Sequence, residues 1–287
     1  MFRFRKLYVD LVTADGTVCV AYLARLHVLG VRTTHAGVEI YGADGKREVI
    51  RARALSHRLD AARGEIVLSL DVPGGPFVLT QGAVHGPWAP SGPSPCRGLS
   101  WRVLAARTAA HARWLGAEGR ELHGLGYADW VEIERPTRLL RLSRLRWGRV
   151  HLPDATVVFN AVHLRSGESW QRSACWSAGG PIESTGLSMA FHAGQLDLAW
   201  RGRRVRIEPV RTLHAGEPID PSRFPGAIDR LVSNAITGPA EEERCLGRAR
   251  WLEESSAAHG WALHETVRFG AAASGRSQAE LGQEARS

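Results

Sequence analysis

The sequence predicts an all-β protein, a tandem duplication of two antiparallel β-barrels or sandwiches with one short helix. Three observations carry that expectation. Short β-branched or alternating runs recur along the chain, turn residues separate them, and the two halves repeat one another at a nearly fixed offset. The 287 residues suffice for two ordinary domains, and an apolar content of 44% is enough for packed cores.

In chain order, "KLYVDLVT" from Lys6, "TVCVAYLARLHVL" from Thr17, "GVEIYG" from Gly37, "REVIRARA" from Arg47, "GEIVLSLDV" from Gly64 and "PFVLTQ" from Pro76 read as strands. Ala14-Asp15-Gly16, Ala43-Asp44-Gly45 and Pro73-Gly74-Gly75 supply turns between them. In the second half "TVVFNAVHL" from Thr156, "LDLAW" from Leu196 and "RRVRIEPVRTL" from Arg203 read the same way, with a turn at Ala178-Gly179-Gly180. The helix is expected in "PSRFPGAIDRLVSNAI", Pro221 to Ile236.

The repeat is direct. "LYVDLVTADGTVCV" from Leu7 aligns without a gap on "RWGRVHLPDATVVF" from Arg146, 139 residues later. Tyr8 falls on Trp147, Asp15 on Asp154, Thr17 on Thr156 and Val18 on Val157. "ARWL" occurs at Ala112 to Leu115 and again at Ala249 to Leu252, 137 residues later. Each copy leads to a His-Gly pair and a strand, in which Asp129 falls on Glu265 and Val131 on Val267. The expected domains are 1–138 and 139–270, and the small, polar stretch 271–287 is expected to be a disordered tail. A domain of about 130 residues suits an eight-stranded up-and-down barrel or its flattened form, which can hold one small apolar ligand.

The net charge of +8 and pI near 10 raise the question of acidic partners. Lysine occurs only at Lys6 and Lys46, and acids are interspersed among the arginines, so a solvated basic surface is the simpler reading. No nucleic acid partner is expected; peripheral membrane contact remains compatible with the charge. "MFRFRKLYVDLVTADG" has no apolar run of signal-peptide length, and no window of about eighteen uncharged apolar residues occurs. Cys19, Cys96, Cys175 and Cys245 are far apart and form no CxxC pair, as expected of reduced thiols in a cytoplasmic protein. Metal-ligand spacings, a Gly-x-Ser-x-Gly elbow and a nucleotide loop are lacking, so neither metal nor cofactor is expected.

The candidate chemistry centres on "GLGYADWVEIE" from Gly124. Strand alternation puts Tyr127, Asp129 and Val131 on one face and Ala128, Trp130 and Glu132 on the other. If Val131 points into the barrel, Asp129 does too. Burial would raise the pKa of its carboxyl, which could then protonate an alkene or carbonyl, with Tyr127 orienting the acid. The alternative is a structural acid in an Asp–Tyr or Asp–Arg pair, and the equivalent Glu265 fits that reading as well as ligand contact. Trp147 and Arg149 open the second half. They fit a tryptophan packed under an arginine at a barrel floor, and Arg149 could instead pair with Asp129. Trp101 and Trp130 could wall a polyene or polycyclic ligand, although most of the ten tryptophans should be core. Arg138, Arg141, Arg144 and Arg146 read as a solvated basic face.

Gly124, Gly126, Tyr127 and Asp129, followed by Trp147, Gly148 and Arg149, resemble the motifs of the carotenoid 1,2-hydratase (hydroxyneurosporene synthase) and AttH-like family. That family of tandem lipocalin-like (calycin) proteins includes lipocalin-like Diels–Alderases of polyketide pathways. The opening aromatic-x-Asp and Asp-Gly turn, Tyr8 to Gly16, is similar to the family's first hairpin. The resemblance implies two lipocalin-like domains, a long apolar isoprenoid or polyene ligand, and the motif's aspartate, here Asp129, as proton donor. Typical hydratases read Gly-Tyr-His-Asp-His-Asn-Trp-Gly. Ala128 and Trp130 stand in place of both histidines, and "VEI" in place of Asn-Trp-Gly. The expected function is thus a cofactor-independent cyclase or hydratase for an apolar isoprenoid or polyketide-type substrate, with a noncatalytic carrier as the alternative.

Overall fold

The computed structural model describes residues 2–60, 65–85, 87–91, 96–116, 119–177, 180–184, 188–192, 195–200, 202–216, 240–253 and 259–270. The first half folds as β1 (Phe2–Val12), β2 (Val18–Val28), β3 (Val31–Tyr41), β4 (Arg47–Asp60), β5 (Glu65–Val72), β6 (Gly75–His85), β7 (Leu99–Trp114) and β8 (Glu121–Ile133). These run antiparallel in sequence order, and pairing of β8 back onto β1 closes an eight-stranded barrel. A short 3-10 turn at Thr137–Leu140 follows.

The second half contributes β9 (Leu142–His151), β10 (Thr156–Leu164), β11 (Ser169–Ser177), β12 (Gly180–Ser184), β13 (Ser188–His192), β14 (Gln195–Trp200), β15 (Arg203–Gly216), β16 (Ala240–Trp251) and β17 (Gly260–Phe269). Their order, β12-β11-β10-β9-β17-β16-β15-β14-β13, is the order of the first barrel with one strand divided. β4 pairs with β3 over Arg47–Ala52 and with β5 over Arg53–Asp60. In the second half β12 neighbours β11 and β13 pairs with β14, so two short strands share the task of one long one. The expected tandem of all-β barrels is therefore what forms, with the second ring interrupted. No α-helix occurs among the described residues; the helix expected at Pro221 to Ile236 and the tail 271–287 lie outside them. By packing, the chain divides into one unit of Met1–Pro136 with Cys175–Pro181 and another of Thr137–Ala174 with Ile182–Ser287.

Strand register tests the repeat residue by residue. Tyr8 lies opposite Asp129 and Trp147 opposite Glu265, so the two aromatic–acid pairs occupy equivalent places. Trp114 and Trp251 each end the equivalent strand, β7 and β16. The ungapped alignment fails at the first turn. Val12 pairs with Val18 across Thr13–Thr17, but His151 pairs with Thr156 across Leu152–Ala155, one residue fewer. The structural partner of Val18 is therefore Thr156, not Val157.

Closure decides which side chains meet. Leu7, Val9 and Leu11 of β1 point inward with Cys19, Ala21 and Leu23 of β2, and Leu68, Leu70, Phe77 and Leu79 close the far wall. Each such aliphatic side chain contributes roughly 1.5–3 kcal/mol by leaving water. Ala105, Ala110, Ala112 and Ala128 face the same core, small residues set against large ones. Polar groups enter beside Gly126, Thr108 among them: Gln81, fully buried, donates from Nε2 to the carbonyl oxygens of Asp10 at 2.8 Å and Tyr127 at 3.3 Å. Gly126 makes the reach possible, since a Cβ there would stand 2.6 Å from Gln81 Nε2 and 2.7 Å from Asp10 O. Gly126→Ala should lower unfolding free energy by about 1–3 kcal/mol in urea titration. Gly82→Ala, where a Cβ meets nothing within 4 Å, should leave stability unchanged or raise it by up to about 1 kcal/mol.

Candidate functional site

The site forms where β1 and β8 close the barrel. Tyr8-Val9-Asp10 and Tyr127-Ala128-Asp129 are the same tripeptide pattern on antiparallel neighbours. Register crosses them: Tyr8 faces Asp129, and Asp10 faces Tyr127. All four are buried, with exposures of 4% for Tyr8, 0% for Asp10, 2% for Tyr127 and 1% for Asp129. The two tyrosine rings meet edge to face with centroids 6.4 Å apart. Lys6 Nζ stands 5.4 Å from the Tyr8 ring centroid, on the same strand and face.

Asp129 is held by two neutral donors on one oxygen. Tyr127 O–H donates to Oδ2 at 2.9 Å and Trp101 Nε1–H donates to the same atom at 3.0 Å. Trp101 arrives because β7 pairs with β8 so that Trp101 faces Val131 and Val103 faces Asp129. Past Val103 the register slips twice, at Val103/Ala105 and Ala105/Thr108, and such bulges re-aim the side chains around them. The chain ahead of β7 folds back here too, with Trp88 N–H donating to Val103 O at 3.0 Å and Val103 N–H to Trp88 O at 2.8 Å. That brings the Trp88 ring edge to face with Trp101, centroids 5.4 Å apart, and with Trp176, grouped in the same unit, at 6.1 Å. The acid thus borders a run of three indoles.

The expected pairing of faces holds, but its direction does not. Tyr127, Asp129 and Val131 do share a face, and it is the outer one: Ala128 and Trp130 pack with the barrel core instead. Val9 opposite Ala128 and Leu7 opposite Trp130 fix this, because cross-strand partners share a side. Trp130 therefore belongs to the first barrel's interior packing, on the face opposite to Asp129. Trp101 is the predicted ligand-side residue that does meet the acid. Asp10, a second buried carboxyl diagonal to Asp129, adds to the site. Its signal was the repetition of Tyr-x-Asp on two strands destined to pair.

Glu265, the counterpart of Asp129, has different company. Its cross-strand neighbour on β16 is Arg244, where Asp129 has Val103. Arg244 Nε donates to Glu265 Oε1 at 2.5 Å, and its Nη2 to Glu242 Oε1 at 3.0 Å, all three side chains being buried. Trp147 is half-buried opposite Glu265 and Asn160, and Arg149 is buried between Val158 and Leu263. Arginine-covered tryptophans occur elsewhere: Arg203 lies 3.6 Å from the Trp251 ring centroid and Arg120 lies 5.0 Å from that of Trp114. The four cysteines are buried and form no disulfide.

The structure also gathers His111, Glu121 and His123, one ligand atom of each within 4.8 Å of the others. Sequence spacing missed them because His111 comes from the neighbouring strand; the only local sign was the alternation Glu121-x-His123.

No family model matches the chain, and no curated protein matches its sequence. Solved structures do match in fold. CghA with Sch210972 superposes with a TM-score of 0.67 at 10% identity, covering 94% of this chain and 89% of that one. A Nitrosomonas europaea protein assigned to AttH gives 0.61 at 12% identity, covering 94% and 93%. Kievitone hydratase of Nectria haematococca gives 0.55 at 10% identity, covering 92% and 88%.

Inside the second barrel, His264 replaces the first barrel's Ala128 and faces Gly148 and Cys245. Burial first, and then the charge of Arg146, push its pKa down from 6.5 to about 4, with Glu265 opposing. The unfolded chain binds that proton more readily, so stability is whole above pH 6.5 and is lost as pH falls toward about 4. The loss from this group should total about 3 kcal/mol. Denaturant titrations across that window should show a shallower slope for His264→Gln than for the parent. The described halves together thus have the tandem lipocalin-like fold that CghA, the AttH-assigned protein and kievitone hydratase share.

Proposed function

We propose that the chain is a cofactor-independent enzyme acting on an apolar substrate of isoprenoid or polyketide type, with Asp129 as its acid. The observation that carries this reading is a buried carboxyl whose Oδ2 accepts from both Tyr127 and Trp101 beside a run of indoles. With both donors on Oδ2, the transferable proton belongs on Oδ1. Transfer of that proton to an alkene carbon makes one C–H bond from the π pair and leaves a carbocation and the Asp129 carboxylate. The two hydrogen bonds strengthen toward the new anion, and indole faces stabilise the cation. Ring closure by a second alkene, with loss of a proton to the carboxylate, gives a cyclisation. Attack by water, with its proton returned to the carboxylate, gives a hydration. Asp10, diagonal to Asp129 across β1 and β8, is a second buried carboxyl beside it. The fold neighbours support such chemistry: one is a hydratase, and another was solved with Sch210972.

The second reading, a noncatalytic carrier of an apolar ligand, draws on the 1% exposure of Asp129, which suits a structural acid. Asp129→Asn separates the two. It keeps size and hydrogen bonding and removes the carboxyl proton. Incubation with a panel of polyenes and acyclic isoprenoids, read by mass spectrometry, should show turnover lost by about 10²–10⁴-fold while ligand affinity persists. Undiminished product formation would remove Asp129 as the acid, and binding without conversion by the parent would establish the carrier. Loss of melting stability by about 3–5 kcal/mol would instead mark the acid as one half of a buried ion pair.

A further inference from the structure

The β7–β8 hairpin carries a metal-ligating cluster unrelated to the acid. His111 of β7 and His123 of β8 are direct cross-strand partners, and their rings stack with centroids 4.0 Å apart and planes 16° from parallel. Glu121 stands two residues before His123, hence on the same face. Its Oε2 lies 3.2 Å from His111 Nε2 and 3.5 Å from His123 Nε2. The backbone beneath is fixed, because Ala110, Ala112 and Leu122, on the reverse face, pack in or against the first barrel's core. The ligand side is open to solvent: His111 is 33% exposed, Glu121 47% and His123 67%.

We propose that His111, Glu121 and His123 bind a divalent transition metal, Zn²⁺ being the best fit. Two imidazoles and one carboxylate are the donor set of borderline cations, whereas Mg²⁺ and Ca²⁺ require a cage of oxygens. Tetrahedral Zn²⁺ with bonds of about 2.1 Å places its ligand atoms about 3.4 Å apart. The two nitrogen–carboxylate separations, 3.2 and 3.5 Å, match that spacing, and the third pair lies within 4.8 Å. A small rotation of the exposed His123 ring closes the remaining gap. Three protein ligands leave a fourth position for water. Glu121 Oε2 already bridges the two rings, 3.2 Å from His111 Nε2 and 3.5 Å from His123 Nε2. The bound ion ties β7 to β8 at the end of the hairpin remote from Asp129.

Titration of the full chain with Zn²⁺ by calorimetry tests this, in a buffer free of chelators. One ion per chain should bind with micromolar affinity. His111→Gln, His123→Gln and Glu121→Gln should each weaken it at least tenfold, with metal-free melting temperature unchanged. Co²⁺ should give visible d–d bands of four-coordinate intensity in the parent and lose them in both histidine variants. Zn²⁺ should also raise the melting temperature of the parent by several degrees and leave that of the variants where it was. The proposal is overturned if the parent binds no Zn²⁺ below millimolar concentration. It is equally overturned if the three variants bind as the parent does, which would place the ion on other histidines.

Discussion

The pairing of β1 with β8 is the constraint on which the rest of the molecule depends. It closes the first barrel, and closure assigns every residue of both strands to one of two faces. A shift of one residue in that register would turn one of the two strands over, placing either Asp10 or Asp129 among Leu68, Leu70 and Phe77. Gln81 and Gly126 resist such a shift. The amide of Gln81 reads the backbone of both strands at once, at Asp10 O and Tyr127 O, and it can do so only over a residue that lacks a Cβ. The crossing of two Tyr-x-Asp tripeptides is thus a consequence of register, and register is held from inside the barrel.

The same place in the second half shows what the duplication kept and what it changed. The aromatic opposite an acid persists, as Trp147 opposite Glu265. Arg149 takes the position of Asp10, and Arg244 takes that of Val103. Two carboxyls with tyrosines have become an acid set among arginines. Removing one member of the Glu242–Arg244–Glu265 triad would leave charge uncompensated away from water, which is the costly case for buried ion pairs. In the first half an indole N–H and a phenol O–H donate to the acid, groups that serve a carboxyl in either protonation state. The proposed function assigns proton chemistry to Asp129, whereas the salt bridge of Glu265 suits a structural acid.

Much of the architecture was legible in the sequence, for reasons that also explain the omissions. Alternating runs such as "LYVDLV" announce strands because one face must be apolar and the register of the repeat preserves that pattern. β7 gave no such sign. Its "LAARTAAHARW" is alanine-rich and interrupted by two bulges, so its alternation breaks, and its strand character comes from neighbours that need small side chains inside a closed ring. The parity of Tyr127, Asp129 and Val131 was readable, but its direction was not. Local sequence shows which residues share a face, and only the partner strands show which face is the interior. Val131 is apolar and half-buried, yet it lies on the outer side.

Burying Asp10 and Asp129 on that outer side carries a desolvation cost that apolar residues there would not. The fold does not need either acid to close, since Leu7, Val9 and Leu11 already supply the inner face of β1. Nor does the second barrel repeat them, since it closes most of the same ring with Arg149 and Glu265 in their places. Two tyrosines and an indole are nonetheless arranged about them in fixed register, with a β-bulge and a back-folded segment aiming Trp101 at Oδ2. Polar groups placed where packing alone would favour hydrocarbon, and supported by several independent elements, are what the proposed function draws on. Under the proposed function the acids and indoles near β1 and β8 carry the chemistry, while in the second half Arg244 ties Glu242 of its own strand to Glu265 of the next.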